Sequence, residues 1–131
     1  MSCLFNSYDP RFKHPFGAVR AGESVKLSLC LPEELGYVDP HLVLQKEGKY
    51  DVPVHYRMNF EGQTPHQNHF SVEVPLGDVG LYFYYFDLYT DFRRIVRGPD
   101  NCGVLSWKDG DCWQLTVYDP SFQTPENVKG K

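Results

Sequence analysis

No stretch of this 131-residue sequence is apolar for long enough to cross a bilayer as a helix. The most apolar segments, Leu27 to Leu31 and Leu81 to Phe86, fall far short of the roughly 20 residues a spanning helix needs. A basic run is missing too: Lys and Arg number 13 against 17 Asp and Glu, a net charge of -4, and no stretch is basic enough to neutralise several phosphates. These absences exclude a membrane helix and argue against nucleic acid as a partner. Met1 to Lys13 lack a basic stretch followed by an apolar run. No secretory signal is therefore readable, and the cytoplasm is the expected location.

Cysteine is sparse. Cys3, Cys30, Cys102 and Cys112 form no CxxC and have no histidine at ligand spacing, so no metal site is expected and the thiols are read as free. A Cys102 to Cys112 bridge is the alternative for an exported protein. Cys30 is expected on the outer face of a strand and unreactive. There is no GxSxG elbow, no GxGxxG and no phosphate loop, so nucleophilic and nucleotide chemistry have no foothold and no cofactor is implied. Glu33 and Glu34 sit in a proline-flanked turn, and Asp109 and Asp111 flank Gly110. Solvated turn acids explain both pairs better than a catalytic carboxylate pair held across a cleft. His66 and His69 form an HxxH at the start of a strand, which points the two rings in different directions. Asp100, Asn101, Asp109 and Asp111 match no compact calcium loop.

What the sequence does hold is aromatic residues and period-two alternation. Hydrophobic residues make up 41% and aromatics 15% against 23% charged, which is enough to build one core and excludes a disordered chain. Val25, Leu27, Leu29 and Leu31 alternate with Lys26, Ser28 and Cys30, as in a half-buried strand. Val52, Val54, Tyr56, Met58 and Phe60 read as the buried face of a second strand, with Pro53 placing it at a sheet edge. Phe70, Val72 and Val74 give a third, Leu42 and Leu44 a short fourth, and Trp113, Leu115 and Val117 the last, with Trp113 at the rim of the core. Gly80 to Leu88, GLYFYYFDL, is aromatic on both faces and reads as a strand covered on both sides. No segment carries a capped 3.6-residue stripe. The chain is expected to be all-β, an immunoglobulin-like sandwich of seven or eight antiparallel strands over residues 1–118. Residues 119–131 lose the alternation and read as a linker.

Trp107, Trp113, Phe92, Tyr85 and Phe83 exceed what one sandwich face can hide, so something covers or contacts them. Phe83 and Tyr85 are candidates for contact with a neighbouring domain. Trp107 follows a glycine-containing loop, and with Asp100, Asn101 and Lys108 it forms a candidate carbohydrate site, where a ring stacks on a pyranose face while polar groups bond hydroxyls. Contact with a neighbouring domain explains Trp107 equally well.

The motifs HPFGAVRAGESVKLSLCLP at 14–32, GLYFYYFDL at 80–88 and WQLTVYDPSFQTP at 113–125 resemble the N-terminal immunoglobulin-like domain of bacterial family 13 glycoside hydrolases, the α-amylase, neopullulanase and amylopullulanase group. The resemblance covers nearly the whole chain. It implies a non-catalytic domain whose partner is the catalytic (β/α)8 barrel of the same parent, with α-glucan as a further ligand and a homodimer formed through the parent. In that pattern the barrel, with its catalytic carboxylates, would begin after Lys131, so no catalytic residue carries over. Gly80, Tyr82, Tyr84 and Phe86 also look like the core strand of starch- and glycogen-binding modules, which makes these tyrosines core residues rather than ligand contacts. The rival reading is a free-standing α-glucan-binding or scaffolding module.

Overall fold

The computed structural model describes residues 4–15, 17–36, 38–47, 53–89, 93–107 and 110–119. Of the expected linker only Asp119 falls among them, and Phe92, Lys108, Asp109 and Val52 also lie outside. The described residues form eleven strands: β1 (Lys13–His14), β2 (Val19–Arg20), β3 (Glu23–Pro32), β4 (Pro40–Lys46), β5 (Val54–Arg57), β6 (Asn59–Thr64), β7 (Gln67–Leu76), β8 (Gly80–Leu88), β9 (Arg93–Arg97), β10 (Gly103–Ser106) and β11 (Trp113–Tyr118). Three-residue 3-10 turns at Glu33–Leu35 and Pro99–Asn101 are the only helical geometry among them. The fold is an all-β sandwich.

One sheet runs β1-β3-β7-β6. Its spine is the pairing of β3 with β7, from Glu23 opposite Leu76 to Pro32 opposite Gln67. This register puts Val25 beside Val74, Leu27 beside Val72 and Leu29 beside Phe70, so the apolar halves of two alternating strands share the inward face. The second sheet is organised around β8. On one side β8 pairs with β4, and on the other with β11 along its first half and β9 along its second, with β10, β2 and β5 beyond. Tyr82, Tyr84, Phe86 and Leu88 point inward and are buried, together with Leu42, Leu44, Ile95, Leu115 and Val117.

The expected strands are present, with four differences. The count is eleven rather than seven or eight, because short pieces such as β1, β2 and β10 are too brief to show a period. Not every pair is antiparallel: β2 lies parallel to β11, with Val19 opposite Val117. The segment from Val54 to Phe60 is two strands rather than one. Its first half pairs with β4 in the large sheet, its second half with β7 in the small one, and the chain changes sheets at Met58. Met58 is buried, while Val54 and Phe60 are 50% and 59% exposed. Alternation continues unbroken across the joint because both halves are extended, so period alone cannot show the change of sheet. The edge position inferred from Pro53 holds, since β5 pairs only with β4.

The fourth difference is Trp113, which sits at the centre of the core and not at its rim. It is 1% exposed, and its ring meets Phe5 at 4.8 Å, Tyr84 at 5.8 Å and Phe86 at 5.8 Å between centroids. Phe5 comes from the N-terminal segment ahead of β1 and is itself fully buried. Gly103 makes room for this cluster: a Cβ there would come 2.7 Å from Ile95 Cγ2 and 3.3 Å from the Trp113 ring.

Candidate functional site

The loop before β10 is built on two consecutive residues with positive φ, Asp100 at 59° and Asn101 at 66°, a conformation that Asp and Asn adopt more readily than most side chains. The turn aims Asn101 inward. Its side-chain amide donates to Asn6 Oδ1 at 2.9 Å and Ser7 Oγ at 2.8 Å, and its carbonyl accepts the Trp113 indole N–H at 3.2 Å. Asn101 thus fastens the N-terminal segment to the core. Asp100 is exposed beside it.

Trp107, just past the end of β10, is 72% exposed, and the Arg93 guanidinium stands 5.1 Å from its ring centroid. That cation holds the indole without covering most of it. Among the described residues no hydrogen bond joins Trp107 to Asp100 or Asn101. Phe83 and Tyr85 lie on the outward face of β8 and are half-buried, so within this domain the strand is fully covered on one face only. The Arg94 guanidinium stands 5.1 Å from the Tyr85 ring centroid.

The two histidines of the HxxH take separate partners. His66, in the exposed turn between β6 and β7, has Nδ1 3.3 Å from Glu33 Oε1. His69, inside β7, has Nδ1 3.2 Å from Cys30 Sγ and Nε2 2.7 Å from Thr64 Oγ1. Burial pushes the Cys30 thiol up, away from the reactive thiolate. The reading of four free thiols needs correction: Cys102 is disulfide-bonded, whereas Cys30 and Cys112 are free, which also removes the Cys102 to Cys112 pairing. The spacing of four isolated cysteines gave no sign of it.

A second surface escaped the sequence reading. On the outward face of the large sheet, β5 and β4 each contribute one ring, and the residue just past β8 contributes a third. Tyr89 stacks on His41 with centroids 3.9 Å apart and planes 9° from parallel, and its hydroxyl lies 2.6 Å from His55 Nδ1. Beside them Arg57 Nε donates to Asp39 Oδ1 at 2.9 Å, and His41 Nε2 lies 3.4 Å from Asp39 Oδ2, long for a hydrogen bond. Burial works to raise the Asp39 carboxyl, but the Arg57 and His41 contacts together hold it below the ordinary carboxylate value. Parity could have placed His41 and His55 on the outward face. Their juxtaposition depends on the order β5-β4-β8, which no single strand reveals.

Comparison with known proteins adds one finding to this geometry. No protein-family model matches the chain. It is similar to an amylopullulanase. That enzyme, from Thermoanaerobacter thermohydrosulfuricus, is 28% identical over 138 residues of alignment, which take in 95% of this chain and 9% of the enzyme. The chain therefore spans less than a tenth of the relative it matches, as a domain of a much larger protein would.

Proposed function

We propose that the chain is a non-catalytic, immunoglobulin-like domain of a starch- or pullulan-degrading family 13 glycoside hydrolase, packing on that enzyme's catalytic barrel and contacting α-glucan. The observation that carries this reading is the amylopullulanase similarity, which runs through nearly the whole sandwich while touching only a small share of the enzyme. The half-buried outward rings of β8, Phe83 and Tyr85, support a docking face for the neighbouring domain, and the exposed Trp107 supports contact with sugar. Of the described carboxylates, Glu33 and Glu34 lie on an exposed 3-10 turn, as solvated turn acids do.

Two measurements test the proposal. The purified chain is expected to release no reducing sugar from starch or pullulan above a heat-killed control, and release would assign it a catalytic role that this reading denies. The reading frame of the parent gene is expected to encode a (β/α)8 barrel alongside this domain. Its absence would remove the appended-domain reading altogether.

A further inference from the structure

The geometry points to a pyranose-binding platform at Tyr89, His41 and His55, separate from Trp107. Tyr89 is 44% exposed although one face of its ring lies against His41, so the exposed part of the ring is available to a ligand. The hydroxyl contact with His55 fixes the ring at a second point. A ring held at both its face and its tip is set in orientation before any ligand arrives, which lowers the entropy lost on stacking. The floor is equally firm. Val43, opposite both His55 and Tyr85 on this outward face, is only 2% exposed, so the surrounding side chains pack over it.

The chemistry around the ring suits a sugar. A pyranose presents an apolar face of C–H groups to an aromatic ring and a fringe of hydroxyls that need both donors and acceptors. Here the Asp39 carboxylate and the Arg57 guanidinium flank the rings as a matched pair, together with the His55 imidazole. The Asp39 and Arg57 pair lies beside His41 and the His55 imidazole at the Tyr89 hydroxyl, without an excess of charge of either sign. An anionic ligand would call for unpaired cations, and a purely apolar partner would leave these polar groups without water or bonds. We infer that Tyr89 stacks on a glucose unit of an α-glucan chain while Arg57, Asp39 and His55 engage its hydroxyls. The choice of α-glucan rests on the proposed function. The platform itself rests on the geometry.

The test is a titration of the isotope-labelled chain with maltoheptaose, followed by amide shifts, with cellohexaose as the β-linked control. Wild type is expected to bind in the millimolar range, with shifts centred on Tyr89, His41 and His55. Tyr89→Ala is expected to weaken binding about tenfold or more. Tyr89→Phe keeps the ring and is expected to stay within about threefold, while Trp107→Ala leaves these shifts in place. An unchanged spectrum elsewhere in Tyr89→Ala shows that the fold is intact. Shifts centred on Trp107 alone overturn the platform but leave the α-glucan reading standing. Equal binding of cellohexaose overturns the α-glucan assignment, and no response to either sugar overturns the platform whatever the parent gene encodes.

Discussion

Trp113→Ala is expected to destabilise the domain by about 3 to 5 kcal/mol in denaturant unfolding, the range for deleting a large ring from a packed core. The indole occupies the point where three elements meet: β11, which carries it, β8 through Tyr84 and Phe86, and the N-terminal segment through Phe5. Its N–H also satisfies the Asn101 carbonyl, in the turn whose side chain holds Asn6 and Ser7. Truncation would open a cavity and leave that carbonyl without its donor. Trp113→Phe keeps one ring but gives up the hydrogen bond and the remainder of the indole, so an intermediate cost of about 1 to 3 kcal/mol is expected. A loss below about 1 kcal/mol for Trp113→Ala would show that the N-terminal segment does not pack against the core as described.

The second large effect has the opposite sign. Tyr84→Phe is expected to stabilise the domain by about 1 to 2 kcal/mol, because the Tyr84 hydroxyl is fully buried and has no hydrogen-bond partner among the described residues. Tyr82, on the same face of β8, serves as the control. Its hydroxyl donates to the Asp78 carbonyl at 2.9 Å, so Tyr82→Phe should cost about 1 kcal/mol. The same burial makes Tyr84 sensitive to alkali, since it pushes the phenol far above its ordinary value of 10.0. The unfolded chain releases this proton near pH 10 while the folded chain keeps it. Stability is therefore unaffected by Tyr84 below that pH and falls above it by about 1.4 kcal/mol per pH unit. Tyr82, Cys30 and Cys112 are also raised by burial and act in the same direction with less weight. Lys13, lowered by burial, opposes them up to its ordinary 10.5. Chemical denaturation of wild type and Tyr84→Phe between pH 8 and about 11 reads the difference directly, and parallel curves would place the Tyr84 hydroxyl in contact with water.

Where alternation was long, the sequence was a reliable guide. β3, β7, β8 and β11 bury the side chains that parity assigned to the core, from Val25 to Val117. Three kinds of information were not written in a period. Phe5 and Phe12 are core residues, but they come from a segment with no regular strand, where a buried ring looks like any other. The change of sheet at Met58 depends on which neighbour each half pairs with, a tertiary fact. The Tyr89, His41 and His55 cluster is assembled from β4, β5 and the turn after β8, so its members are scattered along the chain and each alone reads as a surface residue. The Trp107 site shows the converse limit. Sequence places Asn101 near Trp107 but does not show where its amide points, which the positive-φ turn directs to Asn6 and Ser7.

The long pairing of β3 with β7 also governs how quickly the domain can form. Each strand has ten residues, and β4, β5 and β6 all lie between them in the chain. The spine of the small sheet can close only after that intervening length has been confined, an entropic cost met before most of its contacts are made. The sheet that encloses it depends likewise on β11 reaching β8 and β2 from the far end of the fold. Contacts of this range place sandwiches among the slow folders, with time constants of about milliseconds to seconds. During that interval β8, with aromatic rings on both faces, is uncovered. The stretch most responsible for the core is thus also the one most exposed to wrong partners while the chain is still folding.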